Sequence, residues 1–188
     1  MAAAVAVAEG SVGKQAQVAM LAAQSALRTG RPADAVRIYT GLLPGLSDRP
    51  MLAARARVGL GRSLIAAREM KGAEAVLRDA VALFQTQGEI LGEATALFEL
   101  GELCRRTGRL SEARDLLSGA LDAFVDNGLT EPAERANELL AMVELADGHP
   151  IEAIRALLAA GVERTDAPSF RRKLLARAQR RAHEKANA

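Results

Sequence analysis

The chain has 188 residues and a formal net charge of +2, so it is long enough to bury a core and is close to neutral overall. Hydrophobic residues make up 49% but aromatic residues only 3%, which indicates an all-α protein whose Ala- and Leu-rich helices pack closely. No stretch approaches the ~20 apolar residues of a membrane helix, and the single cysteine, Cys104, excludes an internal disulfide. The first residues lack the basic region of a signal peptide, so we expect a cytoplasmic protein.

One spacing of small residues occurs four times along the chain. In each copy a small residue is followed by a turn, then by an alanine, then by a second alanine or a leucine. The copies are Ala23, Gly30, Ala35 and Leu42; Gly61, Arg68, Ala73 and Ala80; Gly101, Gly108, Ala113 and Ala120; Ala141, Gly148, Ala153 and Ala160. Successive copies are offset by 38, 40 and 40 residues, which predicts a stack of helix pairs.

Helix start and stop signals divide the chain into four helix pairs and a last helix that has no partner. The second pair is expected to turn at Met70–Gly72, and Arg68 stands in its copy where the other copies have a turn glycine. Ser111 and Thr130 are expected to act as N-caps of their helices. The chain is interpreted as one domain, residues 1–188, with repeats at about 11–44, 51–88, 89–128 and 130–161 and a final helix at 169–185.

These repeats resemble the tetratricopeptide repeat, in a longer form of about 40 residues rather than about 34. The family places an alanine where all four copies have one, and the match spans residues 16–161. Arg68 and Leu42 depart from the family pattern. The resemblance implies a right-handed α-solenoid of antiparallel helix pairs, a TPR-like superhelix, in which the helix at 169–185 caps the last repeat.

The resemblance also implies a concave groove lined by the first helix of each pair. Projected onto this chain, the groove residues are Met20, Arg55, Arg62, Phe98, Glu102, Arg105, Arg135, Glu138 and Met142, together with Gln17, Gln24, Leu27, Val58, Ile65, Thr95 and Leu145. The arginines would give the groove a positive bias and the methionines and phenylalanine would anchor apolar side chains. This mixture suits an acidic, amphipathic helix or extended peptide. Ordinary solvated arginines at the edge of a core are equally consistent with the sequence.

The last helix is strongly basic, because residues 171–188 hold seven Lys or Arg and one Glu. Its cations are Arg171, Arg172, Lys173, Arg177, Arg180, Arg181 and Lys185. They could contact an acidic partner, nucleic acid or the body of the protein itself. Only Phe170 could stack on a base, and one stripe of the helix (Phe170, Leu174, Leu175, Ala178 and Ala182) is apolar. A capping helix with a basic outer face is therefore favoured over a nucleic-acid-binding element.

The sequence gives little support for catalysis. The two histidines, His149 and His183, lie far apart and have no metal-ligand spacing. Cys104 falls within a helix and is expected to be a buried apolar residue. No catalytic residue, metal or cofactor is therefore predicted, and Arg114 is interpreted as a surface residue whose truncation has little effect.

The expected function is that of a non-catalytic scaffold or adaptor that binds a partner helix or peptide in its groove. Two alternatives stay open. The chain could be a sensor or regulatory module of a bacterial signalling or transcription system, or it could associate with nucleic acid through its basic helix. Self-association is a further option, whereas nucleic acid is a disfavoured partner and no membrane contact is expected.

Overall fold

The structure, a computed structural model, describes residues 2–161 and 169–187, and within them it contains α-helices, one 3₁₀ turn and no strand. This confirms the all-α prediction. The helices are α1 (Ala2–Arg28), α2 (Pro32–Leu42), α3 (Pro50–Ala66), α4 (Met70–Gln87), α5 (Ile90–Arg106), α6 (Leu110–Asp126), α7 (Thr130–Ala146), α8 (Pro150–Ala159) and α9 (Ser169–Ala186), with the 3₁₀ turn at Leu43–Leu46. Helices α3, α5 and α7 begin at residues 50, 90 and 130. None of the helices in the described ranges has the length and apolar character needed to cross a membrane.

The first helix is longer than predicted, because it begins at Ala2 rather than near Ser11. Alanine is the best helix former, so an Ala-rich start continues the helix through Gly10 and Gly13. The turn of the second pair also differs from its prediction, because α3 ends at Ala66 and α4 already begins at Met70.

Backbone geometry, rather than side-chain caps, shapes the turns within the pairs. Gly108 adopts a left-handed conformation with φ of +81°. The next N–H, that of Arg109, donates to the carbonyl oxygen of Cys104 at 2.9 Å, which is the bond expected when a left-handed residue ends a helix. The predicted N-caps are wrong: α6 begins at Leu110 and α7 at Thr130, and the residue preceding each makes no side-chain capping bond.

The chain forms two compact units, Met1–Glu99 (the N-terminal unit) and Leu100–Ala188 (the C-terminal unit). In both units the repeated alanines have no exposed surface; they are Ala35, Ala73, Ala113 and Ala153. A Cβ added to Gly61 would lie 2.5 Å from Cγ of Leu77, and one added to Gly101 would lie 2.7 Å from Cγ of Leu117. The prediction that small residues let the paired helices approach closely is confirmed.

Helix α9 packs against α8 and α7 within the C-terminal unit. Ala178 is fully buried in a cluster with α7 and α8 side chains that include Leu145 and Leu157, and Leu174 and Leu175 pack against the cluster. The side chain of Phe170, predicted to belong to this stripe, lies outside the described residues. Leu174, Leu175 and Ala178 of the stripe do face the last helix pair.

Candidate partner-binding grooves

A groove of about 720 Å³ lies within the N-terminal unit, and we call it the N-terminal groove. It contains eight of the ten groove positions projected onto this unit. These eight are Gln17, Met20, Gln24, Leu27, Arg55, Val58, Arg62 and Thr95, and the other lining residues are Leu21, Tyr39, Gly59, Phe84, Glu89, Leu91 and Gly92. Ile65 and Phe98 do not line it; both are buried, so Phe98 cannot serve as an exposed anchor.

Two aromatic rings from the second helices of their pairs reach this groove across glycines. Tyr39 lies against Gly59, and Phe84 lies against Gly92, at positions where a Cβ would overlap the ring. Burial raises the pKa of Tyr39, and the nearby Arg62 guanidinium offsets this only in part. The neutral phenol donates a 3.4 Å hydrogen bond to the carbonyl oxygen of Met20. The two glycines therefore shape the wall of the groove, a role that the sequence analysis did not assign to them.

The arginines of the N-terminal groove differ in their partners. Arg62 donates from Nε to Oε1 of Glu99 at 2.8 Å, and its Nη2 contacts the same oxygen. Glu99 is only 5% exposed, so this pair neutralises a buried carboxylate as well as the arginine. Arg55 is exposed and forms no ion pair with any side chain that the structure describes. Arg55 is thus the cation of this groove that is not neutralised by an ion pair, and one carboxylate, that of Glu89, also lines the groove.

A second groove, of about 540 Å³, lies within the C-terminal unit, and we call it the C-terminal groove. Its lining residues are Arg105, Met142, Leu145, Ala146, Lys173, Leu174, Arg177 and Arg181. Arg105 is held by Glu102 through bonds of 2.6 and 2.9 Å, and Glu102 also accepts a 2.6 Å bond from Arg106. Burial acts to raise the pKa of Glu102, but the two guanidinium groups lower it below its usual value. Three of the projected positions, Arg105, Met142 and Leu145, therefore lie in this groove.

Several cations of the basic helix α9 bind other parts of the C-terminal unit. Arg171 is 8% exposed; it contacts Glu138 and donates to Oε2 of Glu134 at 3.0 Å. Arg181 donates to the carbonyl oxygen of Leu145 at 2.9 Å. Glu138, projected to face a partner, is instead occupied by α9, whereas the projected Arg135 is exposed.

Arg114 is not the replaceable surface residue that the sequence suggested. Its Nε donates to Oε1 of Glu144 at 2.6 Å, and its Nη2 donates to Oδ2 of Asp147 at 2.5 Å. Glu144 is 9% exposed, and His149 lies 3.3 Å from its Oε2. The network joins α6 to the end of α7, so that interpretation of Arg114 is corrected.

The residues considered for catalysis lie apart from the grooves. Cys104 is fully buried, as expected for an apolar role. His183 is exposed on α9, where its ring contacts the side chain of Asn187. Across residues 2–161 and 169–187, no group of three or more His, Cys, Asp or Glu could hold a metal ion.

Comparisons with known proteins identify the architecture. Residues 20–88 and 87–128, together more than half of the chain, match the family model described as Tetratricopeptide repeat. No curated protein matches the sequence.

Three solved structures show the same fold. BtubC (BKLC) from P. vanneervenii has a TM-score of 0.79 at 14% identity, over 92% of this chain and 74% of that one. Nearly identical TPR-like repeats from a Podosopora anserina chain assigned to kinesin light chain give 0.75 at 18% identity, over 92% and 89%. MamA from Desulfovibrio magneticus RS-1 gives 0.60 at 17% identity, over 90% and 92%. These likenesses confirm the predicted α-solenoid of helix pairs.

Proposed function

Because the chain belongs to the tetratricopeptide repeat family, we propose that it is a non-catalytic scaffold that holds a peptide segment of a partner protein in the N-terminal groove. Solenoid repeats present extended surfaces rather than enclosed reaction sites, so their chemistry is that of binding. The proposal includes the cytoplasm as the place of action, which is the expectation drawn from the sequence.

The observation that carries the proposal is the mixed lining of one continuous concavity. Its apolar side chains include Met20, Leu21, Leu27, Val58 and Leu91. Leu21 remains 64% exposed, and removing a leucine from water contributes roughly 1.5–3 kcal/mol, so a partner that covers it gains affinity. The polar lining residues Gln17, Gln24 and Thr95 can bond a peptide backbone.

Arg55 favours a partner that carries a carboxylate beside its apolar residues. The side chain is exposed at the groove and has no acidic partner among the described side chains. A carboxylate can accept two parallel bonds from one guanidinium, which also fixes its orientation. An acidic, amphipathic segment satisfies both the apolar lining and this cation.

The contacts of the basic helix support a protein partner over nucleic acid. Arg171, Arg181 and Lys185 all donate to acceptors within the C-terminal unit. Their positions follow from packing of α9 on its own unit, which leaves fewer cations to neutralise phosphates. A sensor module of a larger regulator would use the same groove, so the proposed binding chemistry applies to that alternative as well.

Selection of displayed random peptides against the immobilised full chain tests the proposal. Peptides of about twelve residues are long enough to lie along a helix groove in extended or helical form. We expect enriched sequences to combine large apolar residues with Asp or Glu. Their affinity should fall at least about tenfold, or 1.4 kcal/mol, in Leu21→Asp and in Arg55→Glu.

A matched control comes from Ile90, which is 61% exposed but does not line the groove. Ile90→Asp should weaken the selected peptides clearly less than Leu21→Asp does, because it adds the same charge beside the groove but removes no apolar lining side chain. Equal losses in Ile90→Asp and Leu21→Asp, with helicity retained in both, would contradict binding in the N-terminal groove.

A further inference from the structure

A stripe of like charge lines the C-terminal groove. Lys173, Arg177 and Arg181 follow one another four residues apart along α9, and all three line the groove together with Arg105 of α5. No Asp or Glu is among the lining residues. Like charges at this spacing destabilise a helix, so helix formation does not explain the stripe.

The four cations differ in how firmly they are held. Arg105 is fixed by Glu102, and Arg181 by its bond to the carbonyl oxygen of Leu145. A guanidinium has five N–H donors, so Arg105 and Arg181 each retain N–H groups that can bond a further acceptor. Lys173 and Arg177 form no ion pair with any residue that the structure describes. Two oriented and two unengaged cations therefore face one concavity.

The remaining lining residues are apolar and indicate the class of ligand. Met142, Leu145 and Leu174 lie among the cations. Hydrated phosphates gain nothing from such side chains, and the groove has no aromatic residue on which a base could stack. An amphipathic segment with carboxylates along one edge gains from both parts of the lining.

We propose that the C-terminal groove is a second binding site, distinct from the N-terminal groove, for an acidic amphipathic helix of a protein. The cations of α9 repeat about every 6 Å along the helix axis, given a rise of about 1.5 Å per residue. An approaching helix with a carboxylate at every fourth residue repeats at the same interval. Its apolar residues beside these carboxylates contact the methionine and leucines of the groove.

A designed peptide pair tests this site on the full-length protein. The probe is a fluorescent helical peptide with Glu at every fourth position and Leu beside each Glu; the control peptide has the same composition in scrambled order. Fluorescence anisotropy should show the patterned peptide binding at least about tenfold more tightly than the scrambled one. Its affinity should fall as salt is raised, because exposed charges are screened.

A matched pair of variants locates the bound peptide. Lys173→Glu with Arg177→Glu should weaken binding at least about tenfold, whereas Arg172→Glu with Arg180→Glu, on the same helix but outside the groove, should change it less than about threefold. The neutral pair Lys173→Gln with Arg177→Gln, checked for unchanged thermal unfolding, gives the same comparison without introducing repulsion. Equal losses in the groove-facing and outer pairs would overturn the proposal, because they indicate general attraction to a basic helix.

Further outcomes separate this site from the proposed function. If Arg55→Glu abolishes binding of the patterned peptide while the α9 variants do not, the peptide lies in the N-terminal groove and the second site is refuted. A single-stranded oligonucleotide that competes as well as the patterned peptide would assign the groove to nucleic acid and overturn the proposal. If the patterned peptide binds no better than its scrambled control, the second site is also refuted. That result would not contradict the proposed binding in the N-terminal groove.

Discussion

The two grooves arise from the same repeat but differ in chemistry. The N-terminal groove is largely apolar, and one of its two arginines is bound to the buried Glu99. The C-terminal groove has four cations in its lining, three of which come from α9. Both units have small residues at the crossings of their paired helices, so the repeat requires the same backbone packing in each. The groove-lining residues lie outside these crossings, so their side chains can differ between the two units.

Deleting residues 169–188 should have the largest effect and should be confined to the C-terminal unit. The deletion exposes Leu145 and Leu157 beneath Ala178 and leaves Glu134 and Glu138 without Arg171. We expect the free energy of unfolding of this unit to fall by roughly 2–5 kcal/mol, on the basis of apolar burial. Hydrogen exchange should accelerate in α7 and α8 but not in α2 and α4.

The double variant Arg172→Ala with Arg180→Ala serves as the control, because both side chains are exposed. It should leave exchange in α7 and α8 unchanged. If the deletion also leaves these helices as protected as in the full chain, α9 does not stabilise the unit, and its basic side chains need another explanation.

Two glycines of the C-terminal unit should respond to alanine in opposite directions. A Cβ at Gly101 would lie 2.7 Å from Cγ of Leu117, so Gly101→Ala should destabilise by about 1–3 kcal/mol through overpacking. Nothing lies within 4 Å of a Cβ at Gly119, which is in the interior of α6, so Gly119→Ala should stabilise by roughly 0.5–1 kcal/mol. Urea unfolding measures both. Changes of the same sign would show that close approach of the paired helices does not explain why small residues recur at their crossings.

Arg114→Ala tests the ion pair that Arg114 forms with the buried carboxylate of Glu144 in the C-terminal unit. Glu144 would lose a partner while only 9% exposed, so we expect a loss of about 1–2 kcal/mol in thermal or urea unfolding. Arg37→Ala, which removes a surface bond to Asp34, should cost less than about 0.5 kcal/mol. Equal effects would place Arg114 among ordinary surface residues, as the sequence suggested.

The stabilisation from Arg114 should depend on pH. Its hydrogen bond holds the pKa of Asp147 below the usual value of 3.8. A carboxylate whose pKa is lowered by folding stabilises fully above its unfolded pKa and loses this effect as pH falls through the folded value. The difference between wild type and Arg114→Ala should therefore be constant near neutral pH and shrink below about pH 4. A difference that grows in acid would contradict the ion pair.

Arg68→Gly should have a small, stabilising effect and should act in the N-terminal unit. Arg68 is the one non-glycine with positive φ among the described residues, at 65°, and it occupies the turn where other pairs have glycine. Glycine adopts this conformation without strain, so the variant should gain roughly 0.5–1 kcal/mol. Gly108→Arg in the C-terminal unit should lose a similar amount. A loss in Arg68→Gly would indicate that the arginine makes a compensating contact.

The repeat frame could be predicted from the sequence because it depends on local spacing. Ala73 and Ala113 are fully buried where the pattern required small residues, and the left-handed Gly108 lies at the predicted turn. Ser111 and Thr130 misled the cap predictions because both helices start earlier: the carbonyl oxygens of Arg109 and Leu129 accept the first helical bonds, from the N–H groups of Ala113 and Ala133. The composition predicted the all-α fold class, but it did not predict the residues at which the helices begin and end.

The charge partners could not be predicted with the same reliability. Arg62 contacts Glu99 and Arg171 contacts Glu134, each pair 37 residues apart. Such pairs form only when helices one repeat apart lie side by side, and the pattern within a single helix does not show them. Opposite charges separated by nearly one repeat were the available signal, and they would have identified Arg62 as a paired residue.

Hydrogen–deuterium exchange with a peptide selected against the full chain tests groove binding most directly. If the peptide lies in the N-terminal groove, protection should increase in the helices that carry its exposed lining, within α1 and α3, and in the first turns of α5. Leu21→Asp should remove this protection, and Ile90→Asp should not. Protection confined to α2 and α4, or to α9, would show that the partner binds elsewhere and would contradict the proposed function.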